Sequence, residues 1–277
     1  MSKLSIGKAW DETSAFVVRE IRLVAPVALA LFAVPAALIG WINPGGQPAT
    51  APGGLGWPLM LIALIITMIG QMTIAALAIG WSGSIGSAIG LAARRVWGLL
   101  GTVLLVFVPL GIIAAIALAV LIGSAGLTDS SEFTAQTLEA TPGIGLFLLV
   151  LLVLFVVIGV RLFPISAVAI SETSSPVTLL KRSWRLTRGH FGRLLVVLLL
   201  ILIAATVASA AVTAVVGSLM TLVAGEARPF SVSALVTGLA DGVIASAITA
   251  LSAALVGRIY VQLSAGQASV PEVSREG

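Results

Sequence analysis

Residues 144–160 read IGLFLLVLLVLFVVIGV, an apolar segment without a single charged side chain. The apolar character continues past one interruption, Arg161, to about Ile170. A helix needs about 20 mostly apolar residues to cross roughly 30 Å of hydrocarbon. In lipid every backbone polar group must be hydrogen-bonded within the segment, so a span of this kind must be helical. The segment therefore predicts one transmembrane helix, Ile144–Ile170.

Five further segments have the same character, and together they predict an all-α integral membrane protein with six transmembrane helices. The fifth span is longer than one crossing needs, and the sixth begins between Ser231 and Val243. The composition of the whole chain also indicates a membrane protein, because only 9% of its residues are charged, compared with about 25% in a soluble domain. The other predicted spans are Leu23–Ile42, Trp57–Ile79, Leu99–Ile122, Leu194–Ala224 and a last one ending near Leu263.

The basic residues predict the orientation of these spans. Thirteen of the fifteen Lys and Arg residues fall on one side of the predicted membrane. The connectors on the other side, residues 43–56, 124–143 and 225–233, are uncharged, acidic or short. The positive-inside rule places the basic side in the cytosol, so we expect both termini there, in the cytoplasmic membrane of a bacterium. Because the cations cluster at span ends, they indicate membrane topology and not a nucleic-acid partner.

Few residues suited to catalysis or metal binding are present. The chain has no cysteine and one histidine, His190, which excludes disulfides, thiolate metal sites and multi-histidine sites within one chain. No phosphate-binding loop, zinc-protease signature, nucleophile elbow or dinucleotide fingerprint occurs. We therefore predict no enzyme activity, no catalytic residues, and no cofactor or metal.

Short similar segments precede the odd-numbered spans. Residues 5–10, SIGKAW, resemble residues 84–89, SIGSAI, and a third segment begins at Ser175. Each has apolar residues at helical spacing, which is typical of a helix lying in the membrane surface. This predicts a single membrane domain of three parallel units, each an interfacial helix plus a transmembrane hairpin. The alternative is a chance match. The units are residues 5–80, 84–171 and 175–264, followed by a short cytosolic tail, residues 265–277.

Residues 179–195, LLKRSWRLTRGHFGRLL, and residues 161–164, RLFP, with Glu172 beyond them, carry a family resemblance. They resemble a bacterial family of six-span membrane proteins, named after the glycerophosphoryl diester phosphodiesterase membrane domain. The resemblance implies the six-span architecture and a tie to lipid metabolism. In fused members the phosphodiesterase reaction belongs to a separate soluble barrel, which needs about 250 residues. This chain has no room for one, so we reject that activity.

Basic residues near the cytosolic ends of spans four and five are the first candidate site. Arg161 lies within span four, about 13 Å from its cytosolic end at 1.5 Å per residue, and intramembrane charges are costly. It is a candidate contact for a lipid phosphate or a substrate carboxylate; alternatively it extends to the headgroups or pairs with Glu172. A basic run follows and either binds anionic headgroups of the cytosolic leaflet or only fixes topology. The run comprises Lys181, Arg182, Arg185, Arg188 and Arg193.

Two polar residues inside apolar segments are further candidates. Gln71 in span two is expected to bond a neighbouring helix and not a ligand. Asp241 is buried if span six begins near Ser231, but caps the helix at the outer surface if it begins at Val243. We favour the cap, because Val243 to Leu263 alone is long enough to cross. The many small residues of spans five and six favour close helix packing over a ligand path.

Two functions remain as hypotheses. The first is a non-enzymatic, lipid-interacting or envelope-related membrane protein whose partners are anionic headgroups. The alternative is a transporter of a lipid or other hydrophobic small molecule. A transporter should contain a cavity near the middle of the membrane, lined by polar residues that converge from several units; a solid, dry core would exclude it.

Overall fold

The computed structural model describes residues 5–44, 56–124, 142–172 and 175–268. Helices account for all the regular structure in these ranges, and six of the helical segments are long and apolar enough to span a membrane. The prediction of an all-α, six-span membrane protein is therefore confirmed. In chain order the helices are α1 (Ile6–Arg19), α2 (Ile21–Ile42), α3 (Gly56–Ile79), α4 (Ile85–Ser124), α5 (Pro142–Leu162), α6 (Ile165–Ser171), α7 (Pro176–Thr187), α8 (Phe191–Ala224) and α9 (Val232–Ala268).

Parts of the predicted connectors lie outside the described residues. These are most of the first and second outer connectors, with the acidic residues of the second, and the end of the C-terminal tail. The basic end of the bundle is defined as the end that carries α7, and the opposite end as the one where α8 connects to α9.

Helix α4 is continuous over 40 residues, about 60 Å at 1.5 Å per residue. The separate interfacial helix predicted before span three is therefore wrong, since that segment continues directly into the span. One buried face continues through the expected break, at Ala88, Ala92, Val96 and Leu99, so packing favours an unbroken helix. Helices α1 and α7 are separate, as predicted, but the threefold repeat as a whole stays a prediction.

The predicted fourth span is broken into α5 and α6 at Pro164. Proline has no N–H to donate to the preceding turn, so a helix tends to end beside it. Without the next helical turn, the carbonyl of Arg161 accepts a hydrogen bond from the Ser183 hydroxyl of α7, at 2.6 Å. The side chain of Ser183 is fully buried. The break therefore provides the acceptor that attaches α7 to the bundle.

Glycines allow α9 to pack closely against α2, its most extensive partner. A Cβ atom added to Gly242 would lie 2.7 Å from the carbonyl oxygen of Ala33, and one added to Gly238 would lie 3.1 Å from that of Ala37. These glycines are four residues apart, the spacing at which small residues let two membrane helices approach closely. Two glycines thus provide close helix packing where α9 meets α2.

The apolar core lies toward the basic end. It includes Met72, Val168, Leu179 and Ile259, each almost completely buried. By contrast, the halves of α4, α5 and α8 toward the opposite end expose large apolar side chains, for example Leu222 at 87%. Such surfaces suit lipid contact. Spans one, two and six have the most buried apolar segments and form the inner group of helices, and the opposite half of α8 packs less tightly against it.

Candidate functional site

Arg161 lies at the end of α5 against α7 and the start of α8. Its guanidinium carbon is 5.0 Å from the ring centroid of Trp184 and 5.7 Å from that of Phe191. One terminal nitrogen lies 3.4 Å from the Thr187 hydroxyl oxygen, and 3.5 Å from the carbonyl oxygen of Trp184. The Nε atom is buried and has no hydrogen-bond partner among the described residues. Aromatic rings thus hold a cation whose hydrogen-bonding capacity is only partly used.

Glu172 does not pair with Arg161, which removes one of the alternatives for that cation. Its carboxylate accepts from Arg182 Nε at 3.0 Å, and the Tyr260 hydroxyl donates to the same oxygen at 3.4 Å. These contacts join the end of α6 to α7 and α9. Within the ranges that the structure describes, Arg161 therefore has no carboxylate partner.

Helix α7 surrounds this position with further cations. It buries Leu179, Ser183 and Leu186 against the bundle and turns most of its basic residues outward. Arg182 faces inward to Glu172, whereas Lys181, Arg185 and Arg188 are exposed. The basic face is defined as Arg161, Lys181, Arg185 and Arg188; the remaining predicted residue, Arg193, is exposed in the first turn of α8.

The structure places Asp241 inside α9, nine residues after the helix begins at Val232. The predicted cap at the outer surface is therefore wrong. The Ser231 hydroxyl instead accepts from the N–H of Ala234, at 3.1 Å, and so caps the helix ten residues earlier. Asp241 lies about 13 Å along α9 from Val232. The hydroxyl of Ser209 in α8 donates to Asp241 Oδ1 at 2.6 Å.

A row of cavities follows the boundary between α8 and α9, here named the α8–α9 groove. The largest, about 910 Å³, lies toward the opposite end, between these helices and α2, and includes Ser209, Thr213, Thr237 and Asp241 in its lining. A second cavity of about 140 Å³ shares Ser209 and Asp241 with the first. A third, apolar and about 520 Å³, shares Ile248 with the second and lies near α1. The Ser209–Asp241 hydrogen bond therefore lies between the large cavity and the inner ones.

The small residues of α8 accordingly have a different environment from those of α9. Ala205 and Ser209 line the groove, whereas Gly238 and Gly242 of α9 pack against α2. Gln71 is half-buried in α3, and its side chain makes no hydrogen bond to another described residue. The expected bond between Gln71 and a neighbouring helix is not found in that part of the chain.

Sequence reasoning missed the partners of both charged candidates. The rings beside Arg161, Trp184 and Phe191, come from residues 23 and 30 positions further along the chain. Their positions relative to Arg161 depend on the break at Pro164. The groove had a readable signal: Ser209, Thr213 and Thr221 recur with Gly217 at four-residue spacing in α8, which places them along one side of the helix. That stripe predicts a polar surface inside an apolar span.

A family described as a domain of unknown function (DUF7847) matches residues 15–263. This range includes the first five spans, nearly all of the sixth, the basic face and the large cavity of the α8–α9 groove. A search of curated proteins and a search of solved structures each found no match.

Proposed function

The chain belongs to the family described as domain of unknown function DUF7847, and we propose that it binds anionic lipid headgroups without catalysing a reaction. The proposed ligand group is a phosphate at the membrane surface, and the proposed site is the basic face. Among the described residues, no three His, Asp or Glu side chains are placed to hold a metal ion.

The environment of Arg161 is the main support for this proposal. Its guanidinium is held by two aromatic rings, has no carboxylate partner in the described ranges, and keeps an unbonded Nε. An intramembrane cation is costly unless it reaches a partner. Because guanidinium donors match the geometry of phosphate oxygens, a lipid phosphate is a suitable partner at this depth.

The exposed cations of α7 add attraction over a longer range. A Lys or Arg near an anionic leaflet contributes on the order of 1 kcal/mol, and the attraction falls off within a Debye length. Lys181 and Arg185 are on the exposed side of the amphipathic helix α7, where a surface helix places its cations, and the exposed Arg188 directly follows the helix. They would gather anionic lipids, and Arg161 would hold one headgroup in a fixed position.

We also propose which membrane contains the chain and how the chain is oriented in it. We assign the basic end to the cytosol of a bacterium on the positive-inside rule, which places both termini there. The resemblance of residues 161–195 to the phosphodiesterase-associated membrane domain supports a role in lipid metabolism or in the envelope. The description of the matched family neither includes nor opposes that relationship.

The experiment is native mass spectrometry of the purified chain with a titrated anionic phospholipid, phosphatidylglycerol. Arg161→Gln removes the charge and keeps much of the side-chain length. A loss of about 1 kcal/mol corresponds to roughly fivefold weaker binding. Replacing Lys181, Arg185 and Arg188 together by Gln should weaken binding further and flatten its dependence on salt.

The matched control is Arg228→Gln, which removes one cation at the opposite end, where Arg228 is 80% exposed in its side chain. It should leave phosphatidylglycerol binding unchanged. Equal binding by wild type and Arg161→Gln, or equal losses in the Arg161 and Arg228 variants, would contradict a headgroup site at Arg161.

The α8–α9 groove favours a second candidate function, transport of a lipid or other hydrophobic small molecule. Cavities that share lining residues extend from the opposite end toward α1, as expected for a path along two helices. In proteoliposomes, the chain should speed the exchange of a fluorescent lipid between leaflets. Ala205→Phe would fill the inner cavity and slow the exchange, whereas Val207→Phe, on a side chain that is 63% exposed, should not. A rate equal to that of protein-free vesicles would exclude this candidate.

A further inference from the structure

We propose that the large cavity of the α8–α9 groove binds the positively charged amine head of an amphiphile, with Asp241 as the residue that recognises the charge. This site lies toward the opposite end of the bundle from the basic face. The inference is therefore independent of headgroup binding at Arg161, and either can fail alone.

The carboxylate of Asp241 has unused capacity. An ionised carboxylate has two oxygens that each accept more than one hydrogen bond. Ser209 donates to Oδ1 at 2.6 Å, and this is the only hydrogen bond that Asp241 makes among the described residues. Oδ2 accepts no hydrogen bond from a described residue and is not fully buried, and Asp241 lines the large cavity.

Hydroxyl groups provide the other acceptors that an ammonium group needs. A primary ammonium has three N–H donors and no acceptor. Thr213 and Thr237 line the same cavity as Asp241. The Thr237 hydroxyl oxygen is buried and has no hydrogen-bond partner in the described ranges. One carboxylate oxygen and two hydroxyl oxygens together match the donors of one ammonium group in number and in kind.

The charge of the cavity selects a cation over an anion. Its described lining contains Asp241 and no Lys, Arg or His. An unpaired carboxylate inside a membrane is costly, and a cationic ligand would offset that cost through a charge-assisted hydrogen bond. An anionic or uncharged head gains no such interaction.

The rest of the lining suits an apolar chain. Ala36, Ile39 and Pro44 border the cavity on the side of α2. Its volume of about 910 Å³ is within the range of about 300–1,000 Å³ for small-molecule sites. The neighbouring surface of α8 exposes apolar side chains such as Val215, so an alkyl chain can extend from the groove into lipid. The ligand class is therefore a single-chain or double-chain amine with its head at Asp241.

Dodecylamine and dodecanol are suitable probes, because they share a chain and differ in the head. At pH 7 an alkylamine is protonated. Binding of each radiolabelled probe to the full chain would be measured in phosphatidylcholine nanodiscs, with empty nanodiscs subtracted. Dodecylamine should bind wild type at least about tenfold more tightly than dodecanol, because hydrogen bonds to ions are roughly twice as strong as neutral ones. Equal binding of the two probes by wild type would overturn the proposal without any variant.

Asp241→Asn keeps the side-chain size and an oxygen that accepts from Ser209, but removes the charge. It should abolish the preference for the amine and leave dodecanol binding unchanged. Glu226→Gln is the matched control, since it removes a carboxylate that is 80% exposed at the same end and should keep the preference. An unaltered preference in Asp241→Asn, or an equal loss in Glu226→Gln, would overturn the assignment to Asp241.

Discussion

Substitution of Gly242 tests the contact between α9 and α2 on which the inner group of helices depends. In Gly242→Ala the new Cβ would lie 2.7 Å from the carbonyl oxygen of Ala33. Ordinary van der Waals contact begins at 3.4 Å, so the two helices must separate by roughly 0.7 Å locally. The obstacle is backbone, which has no rotamer that would relieve the contact.

The expected cost is about 1–3 kcal/mol, the usual range for an overpacked core position. Alanine also has the higher helix propensity, which contributes up to about 1 kcal/mol in the other direction. The net effect should still be a loss, because moving α9 away from α2 also weakens the contact at Gly238, where the corresponding distance is 3.1 Å.

The assay is reversible unfolding of the purified chain in mixed micelles, followed by tryptophan fluorescence. Gly111→Ala is the matched control: Gly111 lies inside α4, and a Cβ there would have no atom within 4 Å. Gly111→Ala should be neutral or stabilising, and Gly242→Ala should lower the free energy of unfolding. If the two variants have the same stability, close α9–α2 packing is not what holds these helices together.

Three further substitutions test contacts near the basic face. Ser183→Ala removes the hydroxyl that donates to the carbonyl of Arg161 and should lower the unfolding free energy by about 1 kcal/mol; an unchanged denaturation midpoint would show that α7 does not need this bond. Glu172→Gln removes the partly exposed partner of Arg182 and should cost at most about 1 kcal/mol, measured as a melting shift that disappears at high salt. Gly189 has a φ of +85° and open space around it. Gly189→Ala should therefore lower the free energy of unfolding by roughly 1–2 kcal/mol through backbone strain. An unchanged free energy of unfolding would mean that the α7–α8 turn relaxes.

Hydropathy alone predicted the number of spans and most of their bounds, because solvation by lipid constrains every span independently. The segment at 144–160 needs no tertiary information to be recognised as a span. The same reasoning left the start of span six between Ser231 and Val243 and favoured Val243, because it counted the shortest sufficient apolar length. The helix begins at Val232, near the early limit of that range, and Gly238 and Gly242 make the additional residues a packed part of the bundle.

The sequence alone predicted the charged residue of each candidate site but not the partners of that residue. The cost of an intramembrane charge drew attention to Arg161 and Asp241, and both occupy distinctive environments. Their partners depend on which helices become neighbours. Ser209 lies 32 residues before Asp241, and no local pattern pairs the two. Sequence reasoning missed that α4 is unbroken. The buried face of α4, and not its hydropathy, decides whether the helix is interrupted before span three.

Labelling of single cysteines tests the central claim, a membrane-embedded bundle with its basic end in the cytosol. The chain has no cysteine, so each introduced thiol is unique. Ser82 lies in the exposed connector between α3 and α4, and Ala227 lies in the exposed connector between α8 and α9. The two variants are Ser82→Cys and Ala227→Cys. On intact cells, an impermeant maleimide should label position 227 at once and position 82 only after lysis. Labelling of position 82 on intact cells, with protection of position 227, would contradict the account.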